Sequence, residues 1–444
     1  MKHRTGAAAA VLAIGALALT ACSSGGDDAD ASASGSSSDG AAADYTGETL
    51  TVMHYEGEDS AMGIAWNKAI EIFEEETGAT VDLQTTAFED LNASAEQLFD
   101  SSDAPDVSEY NKGNATAGQL AAIGVIQNLD DAYAEYGWAD LLGEGVDTIA
   151  MYDEDGIMGS GSYYGVPNYG EFVFMYYNQD MFDEYGIEIP TTMDDLEAAM
   201  QTFVDNGVTP LTTSAQEYPM GQLWYQLALS QADRQWVNDY QLYENPVDWT
   251  GTQVTYADDT LVDWLDKGYI SSDVSGMTAE DAGLQFINGE APIFYSGSWW
   301  YGRMLSDITD FDFTIANFPD TTLTPGSGGN MWVIPVESKQ PELAKIFIDI
   351  TMSPEVQALL GESGGLPVAA DTADIQDEDA QKLIEVFNEV NDRDGLSFYP
   401  DWPTPDFYGD LNSVMQGLVN GDYDATAAGS QLESYYEDYV STVR

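Results

Sequence analysis

The segment between residues 50 and 110 alternates strand-like and helical patterns, and this alternation limits the chain to few folds. Leu50 to Tyr55 is a short β-like run. Apolar residues from Met62 to Phe73 then recur at the spacing of one helical face, which Gly78 closes. Further strand-like runs follow at 79–85 and 105–110, with a helical stretch between them. Strand-helix-strand alternation predicts an α/β fold with a parallel sheet and right-handed crossovers.

In a parallel sheet of this kind, ligands gather at the carboxyl ends of the strands. Here His54, Tyr55 and Glu56 follow the first strand, and Asn111 follows the third. We therefore expect these four side chains near a ligand, with a local hydrogen-bonding role as the alternative for each.

A second α/β region is predicted from about residue 172. Thr192 followed by Asp195 resembles a helix start, and Gly207 lies just after the predicted end. Further helices are predicted at 261–267, 278–287 and 341–350, and one beginning after Ser353 as N-cap. Strand-like runs occur at 291–295 and 312–316. A chain of 444 residues has room for two or three domains.

The N-terminus has the pattern of an export signal. Basic residues precede an apolar run at 7–19, which is too short to cross a bilayer as a stable helix. The run ends in Leu-Thr-Ala-Cys, with Cys22 the single cysteine of the chain, and resembles the lipobox of bacterial lipoproteins. We predict a signal peptide at 1–21, acylation of Cys22, and a flexible tether at 22–44. The body would then be extracytoplasmic and anchored by lipid to the outer face of the cell membrane.

Charge and residue scarcity exclude several classes of protein. The 78 acidic and 12 basic residues give a formal charge of −66, which argues against nucleic acid as a partner and disfavours anionic substrates. The acidity fits a solubilising surface, with a saline or calcium-rich setting as the alternative. Two histidines and one cysteine cannot build zinc sites of several such ligands. No Gly-Lys dipeptide exists for a phosphate-binding loop. We expect no cofactor, no metal site and no catalytic residues.

Several short motifs resemble those of one family. They are YGVPNYGE at 164–171, MYYNQDMF at 175–182, the Gly186 to Thr192 turn, FYSGSW at 294–299, GGN at 328–330 and GGLPV at 364–368. In order and spacing, across about residues 50–435, they resemble the extracellular sugar-binding proteins of bacterial ABC importers, solute-binding protein family 1.

The resemblance implies the two-lobed binding-protein fold, as in maltose-binding protein, with a ligand cleft between the lobes. The chain would cross between lobes near 166–172, 292–298 and 329–334. Lobe one would comprise 45–167 and 298–330, and lobe two 172–293 and 334–444. The resemblance also implies a monomer that closes by a hinge around an oligosaccharide and passes it to ABC permease transmembrane subunits.

A sugar cleft needs aromatic rings for stacking beside carboxylate and amide groups. The candidates lie at the crossings, in the 220–225 segment and in an acidic-aromatic loop near the C-terminus: Asn168, Glu171, Trp224, Trp299, Trp300, Asn330, Trp332, Asp401 and Trp402. For Trp299 and Trp300, adjacent positions on a strand would let just one face the cleft. Core packing, hinge stabilisation and ordinary surface turns are the alternatives.

The sequence favours a receptor that performs no chemistry on its ligand. One alternative is a receptor for a cationic or zwitterionic solute, such as a peptide or an amine, held by acidic groups and aromatic rings. The other is a secreted glycoside hydrolase, because such an enzyme needs only two carboxyl groups.

Overall fold

The computed structural model describes residues 45–142, 146–369 and 375–444. The predicted signal peptide, the tether and Cys22 lie outside the described residues, so their assignment stays a prediction. Among the helices that are described, none has the length and apolar character needed to cross a bilayer.

The strands are short, apart from one long central strand. They are β1 (Thr49–His54), β2 (Thr80–Thr85), β3 (Val107–Tyr110), β4 (Met151–Tyr152), β5 (Ser162–Tyr163), β6 (Val166–Pro167), β7 (Gly170–Asn178), β8 (Leu211–Thr212), β9 (Ile293–Gly297), β10 (Phe313–Ala316), β11 (Gly326–Gly328) and β12 (Met331–Val333).

Helices surround the sheets. They are α1 (Ala61–Thr77), α2 (Phe88–Phe99), α3 (Gln119–Ile123), α4 (Asp130–Tyr136), α5 (Trp138–Leu141), α6 (Gln179–Tyr185), α7 (Met193–Asp205), α8 (Tyr218–Leu229), α9 (Arg234–Leu242), α10 (Thr252–Asp266), α11 (Ala279–Ile287), α12 (Tyr301–Asp307), α13 (Pro341–Thr351), α14 (Pro354–Glu362), α15 (Glu378–Asn391), α16 (Phe407–Asn420) and α17 (Ala425–Val443). Short 3₁₀ helices span Asp147–Ala150, Ser272–Gly276 and Ser298–Trp300, and a π-helical turn spans Asn114–Gly118.

The first sheet has the strand order β2-β1-β3-β12-β6. β1 runs parallel to β2 and β3, which confirms the predicted parallel unit, while β12 pairs antiparallel with β3 and β6. The apolar face of α1 packs into the core beside this sheet, where the ring of Trp66 lies 5.6 Å from that of Trp332. Phe73 meets Phe347 of α13 at 5.9 Å. We call this sheet and the helices packed on it the first lobe.

The second sheet has the order β10-β7-β9-β8, with β11 also paired to β7. β7 is buried along its whole length. Alternate side chains of a strand point to opposite faces, so Phe174 enters one core with α11, α12 and α15 while Met175 enters another with α7 and α8. We call this sheet and its helices the second lobe.

The chain passes between lobes at two of the three predicted places. It leaves the first sheet after β6 and enters the second at β7, and it returns between β11 and β12. No passage occurs at 292–298. β9 pairs with β7 and β8, and the following β10 pairs with β7, so residues 293–328 stay with the second sheet.

The predicted lobe outlines change accordingly. β10 and β11 lie in the second lobe rather than the first, because their hydrogen bonds go to β7. α13 and α14 lie in the first lobe rather than the second, because both pack against α1. The remaining passage follows α14, where Leu366 forms a bridge to Gly170 at the start of β7 and α15 then packs beside β10.

Helix boundaries follow the sequence signals. The Thr192 hydroxyl accepts the backbone N–H of Asp195 at 3.1 Å, and Ser353 caps α14 with Pro354 in its first turn. Side-chain caps of this kind contribute about 1 kcal/mol each. α1 ends at Gly78, whose φ of 72° is the left-handed conformation that glycine adopts without strain.

Candidate functional site

A cavity of about 510 Å³ lies where residues of both lobes meet. Its size is typical of small-molecule sites, which range from about 300 to 1,000 Å³. Aromatic rings and carboxyl groups dominate its lining. The rings are Tyr55, Phe88, Tyr169, Tyr218, Trp299, Trp300, Tyr399, Trp402 and Tyr408, and the carboxyl groups are Glu56, Glu58, Asp59, Glu89, Glu171, Glu217, Glu280 and Asp401.

The first-lobe wall is built from residues that follow β1 and β3. Tyr55, Glu56, Asn111 and Lys112 all line the cavity, as expected of the carboxyl edge of a parallel sheet. His54 does not. It is buried, its Nδ1 accepts the backbone N–H of Glu56 at 3.2 Å, and burial lowers its pKa to about 4, so it is a neutral structural residue at pH 7.

Lys112 forms the polar floor of the cavity and joins the two lobes. Its side chain is 3% exposed, and its ammonium group pairs with the carboxylate of Glu171, which is 6% exposed. The same group donates to Asn330 Oδ1 at 2.9 Å, and Asn330 Nδ2 donates to the hydroxyl of Tyr169 at 3.0 Å. Glu171 and Asn330, both predicted at crossings, therefore belong to one buried network with a lysine that the sequence did not indicate.

The second-lobe wall is aromatic. The ring of Tyr399 lies 5.3 Å from that of Trp402 and 6.3 Å from that of Trp299. Trp299 Nε1 donates to the hydroxyl of Tyr218 at 3.1 Å. Trp402 packs directly on Gly113, where a Cβ would lie 2.5 Å from the ring and where φ is +101°. A glycine is therefore required opposite this ring.

Trp299 and Trp300 both line the cavity, contrary to the expectation that just one could. They lie on the 3₁₀ helix after β9 rather than on the strand, so strict alternation does not apply. Trp300 is the more buried of the two. Its ring packs over Gly283, and the guanidinium of Arg303 lies 5.2 Å from its centre.

Several carboxyl groups of the cavity are shifted toward the protonated form. Burial, together with the charge of Glu171, raises the pKa of Glu56 to about 7. Burial raises the pKa of Asp401 to about 6. Behind them, burial and the nearby Glu56 raise the pKa of the fully buried Glu109 well above its ordinary value. Glu56 is therefore partly protonated at pH 7.

Three other predicted residues lie outside the cavity. Trp224 is fully buried in α8, a helix without an exposed face beyond its first turn, and its Nε1 donates to Asp258 Oδ1 at 2.8 Å. Trp332 of β12 packs in the first-lobe core. Asn168 is also fully buried, and its backbone carbonyl oxygen accepts from Gln357 Nε2 at 2.7 Å. Their positions are those of core residues.

Tyr399 lines the cavity as well, in the acidic-aromatic loop that was predicted as a candidate specificity loop. Other lining residues were not among the predicted ones. Lys112 carried the same signal as Asn111, being the next residue after the same strand. Tyr218 and Gln222 carried no signal, because α8 is apolar enough to be buried on nearly all sides and its sequence does not mark the side that meets a cavity.

The arrangement suits a ligand with flat apolar faces and many hydroxyl groups. Rings offer stacking surfaces, while carboxylate and amide oxygens accept hydrogen bonds. Among the described residues, no group of three or more His, Cys, Asp or Glu side chains is placed to hold a metal ion.

Solved structures of similar fold cover nearly the whole body. A chitin oligosaccharide binding protein matches with a TM-score of 0.75 at 21% identity, over 88% of this chain and 98% of that one. The maltose/maltodextrin-binding domain of Bdellovibrio bacteriovorus matches with a TM-score of 0.68 at 18% identity, over 88% and 99%. These likenesses show the two-lobed binding-protein fold.

Curated relatives match over shorter stretches. A probable sugar-binding periplasmic protein of Rhizobium meliloti (strain 1021) is 24% identical over 208 residues, which are 45% of this chain and 47% of the relative. A xylose/arabinose-binding protein of Haloferax volcanii is 26% identical over 138 residues, 30% of this chain and 29% of the relative. The chain thus spans about half the length of the first relative, and less of the second.

The family model for bacterial extracellular solute-binding proteins matches residues 57–358. This range includes most of the first lobe, both strand passages between the sheets and the cavity residues from Gly57 to Asn330. The chain belongs to the bacterial extracellular solute-binding protein family.

Proposed function

We propose that this protein is the lipid-anchored, extracytoplasmic receptor of an ABC importer and that it captures a neutral oligosaccharide. The observation that carries the proposal is the cavity of about 510 Å³, whose lining combines aromatic rings with carboxyl and amide groups from both lobes. Sugars present apolar ring faces and hydroxyl groups together, so they match both kinds of group.

Membership of the solute-binding family supports a receptor rather than an enzyme. The relatives support sugar as the ligand class, because one is a probable sugar-binding periplasmic protein and another is a xylose/arabinose-binding protein. Delivery to transmembrane permease subunits and anchoring through acylated Cys22 are further parts of the proposal. They rest on the family and on the N-terminal sequence pattern.

Capture by hinge closure is also proposed. The lobes are joined by short passages at 168–169 and 329–330 and by the segment after α14. The backbone dihedral angles of these segments would change as one lobe rotates toward the other. Closure around a sugar would bring Trp299 of the second lobe closer to Glu56 of the first lobe. The protein would act as a monomer.

A cationic or zwitterionic ligand is the second candidate, and one observation favours it. Carboxyl groups outnumber basic groups in the cavity lining, where Lys112 pairs with Glu171 and Arg303 pairs with Glu280. A protonated amine could pair with the remaining carboxyl groups and lie against the rings of the second lobe.

The test is a thermal-shift screen of the purified protein with neutral oligosaccharides of varied linkage, alongside amines and peptides, followed by calorimetry of each hit at two salt concentrations. A bound ligand raises the melting temperature by mass action. We expect a shift with one class of neutral sugar and an affinity that changes little with salt. A shift with cations alone, lost at high salt, would replace the proposal by the second candidate.

Chromatography of the hit after prolonged incubation separates a receptor from a glycoside hydrolase. The proposal expects the oligosaccharide to be recovered intact. Cleaved products would identify an enzyme that uses two of the cavity carboxyl groups.

A further inference from the structure

We propose that Lys112 is a built-in cation that fills the cation site of this cavity and so restricts the cavity to uncharged ligands. The inference rests on the proposed function, because it concerns the same cavity. It assigns Lys112 as a residue that determines specificity by occupying the place a charged ligand would need.

The aromatic corner of the cavity already holds an ammonium group. Lys112 Nζ lies 5.2 Å from the centre of the Tyr399 ring and 5.5 Å from that of the Trp402 ring. Both distances are within the roughly 6 Å at which a cation is attracted to a ring. These two rings are therefore already engaged by a cation of the protein itself.

The carboxylate beside this corner is also engaged. Glu171 pairs with the Lys112 ammonium, and Asn330 Oδ1 accepts a second hydrogen bond from it at 2.9 Å. An ammonium group has three N–H donors and no acceptor. With two donors directed to oxygen atoms and the rings close by, Lys112 has a complete set of partners without any ligand.

Charge repulsion follows from this geometry. A ligand cation placed against Tyr399 or Trp402 would lie close to the Lys112 ammonium, in a region where burial leaves little water to screen it. A ligand anion gains little, because Glu171 neutralises Lys112 and Asp401 lies in the same lining. The corner therefore attracts neither sign of charge.

The pair is not explained by the general acidity of the chain. Surface acids keep a protein soluble when they are exposed, whereas Lys112 and Glu171 are 3% and 6% exposed. Burying an ion pair costs desolvation, so it is weak grounds for stability. Control over which ligand enters is a role that its position at the cavity floor allows.

The experiment compares the wild type with Lys112→Met, using tetramethylammonium and the neutral oligosaccharide identified by the screen as probes. Loss of the ammonium leaves the Glu171 carboxylate and two ring faces open. We expect the wild type to show no competition between tetramethylammonium and the sugar, and Lys112→Met to bind tetramethylammonium about tenfold or more tightly than the wild type.

Two control variants isolate the charge. Lys112→Arg keeps the cation and should gain no affinity for tetramethylammonium. The double variant Lys112→Met/Glu171→Gln removes both charges and should gain far less than Lys112→Met, because no carboxylate remains to pair with the probe. Circular dichroism and melting temperature establish that each variant is folded. If Lys112→Met does not fold, Lys112→Gln, which can still hydrogen-bond to Glu171, takes its place with the same expected result.

Two results would overturn the inference. One is a wild type in which tetramethylammonium displaces the sugar. The other is a folded Lys112→Met or Lys112→Gln variant that gains no affinity for tetramethylammonium. The proposed function fails separately. If no neutral oligosaccharide binds the wild type but Lys112→Met gains tetramethylammonium binding, the ligand class is wrong and the role of Lys112 stands.

Discussion

Two regions of the molecule combine a tryptophan of the second lobe with a carboxyl group whose pKa is raised, yet they have different surroundings. In the helical core, Trp224 donates to Asp258, and both are buried. At the cavity, Trp299 is partly exposed and Glu56 of the first lobe lies in the same lining. Burial raises the pKa of Asp258 to about 7, as it does that of Glu56.

The difference teaches that aromatic and acidic composition does not by itself identify a binding site. The core pair lies outside the cavity lining, where Asp258 accepts from Trp224 and its carboxyl group lies close to Gly429 of α17. Trp299 and Glu56, in contrast, line the cavity, where a ligand can reach them. Variants of the first region should therefore change stability alone, and variants of the second should change affinity.

The largest effect is expected for Trp224→Ala. Removing a fully buried indole leaves a cavity and an unpaired carboxyl group, which typically costs about 3 to 5 kcal/mol. Urea unfolding should show this loss, while the affinity of the folded fraction for sugar stays at the wild-type value. A large loss of affinity with unchanged stability would move Trp224 into the binding site.

Asp258→Asn is the next test of the core region. A carboxyl group with a folded pKa of about 7, above its unfolded value of about 3.9, holds its proton better in the folded state. Its contribution is therefore most favourable below pH 4 and is lost as the pH rises through 7, and about 2 kcal/mol of that loss falls between pH 5 and 7. The asparagine retains an acceptor for Trp224 but cannot ionise. We expect the variant to gain stability relative to the wild type between pH 5 and 7, as measured by urea unfolding across that range; parallel curves would contradict the assignment.

Much of the fold could be predicted from local patterns. The parallel strands around α1, the caps at Thr192 and Ser353 and the glycine after α1 all depend on neighbouring residues, and the structure confirms them. α10 was predicted from residue 261 but begins at Thr252, because its first turns are polar and Gly251 supplies no side-chain cap.

Lobe membership could not be predicted in the same way. Whether residues after β9 remain with the second sheet depends on the hydrogen bonds of β10 to β7, which join segments far apart in sequence. The site also combines residues that local sequence could locate with residues that only contacts between distant segments place there. Strand ends located Glu56 and Asn111, whereas Tyr169 and Tyr218 reach the cavity through the packing of the lobes.

Trp299→Ala tests the cavity wall. The indole offers a stacking face and donates to Tyr218, and loss of one stacking ring typically costs about 1 to 3 kcal/mol of binding. Calorimetry should show affinity reduced about tenfold or more, with a smaller loss of stability than for Trp224→Ala. Unchanged affinity with a lower melting temperature would make Trp299 a core residue like Trp224.

The smallest effect is expected for Glu56→Gln and concerns pH. Because the pKa of Glu56 is about 7, the wild-type side chain changes from a neutral acid to a carboxylate across the neutral range. A carboxylate accepts hydrogen bonds from sugar hydroxyl groups more strongly than a neutral acid or an amide does. Wild-type affinity should therefore rise between pH 6 and 8, by about fivefold if one such bond strengthens by about 1 kcal/mol.

Glutamine cannot ionise, so affinity in Glu56→Gln should change less over that range than in the wild type, with Asp401 as the remaining titrating group of the lining, and should match the wild type most closely at low pH. Asp258→Asn is the matched control, since it removes a carboxyl group of similar pKa from the core and should leave the pH dependence of affinity unchanged. An affinity that falls as the pH rises would mean that Glu56 donates to the ligand as a protonated acid. In that case Glu56 would act in its protonated form, as Asp258 does in the core, and the two carboxyl groups would differ only in their access to the ligand.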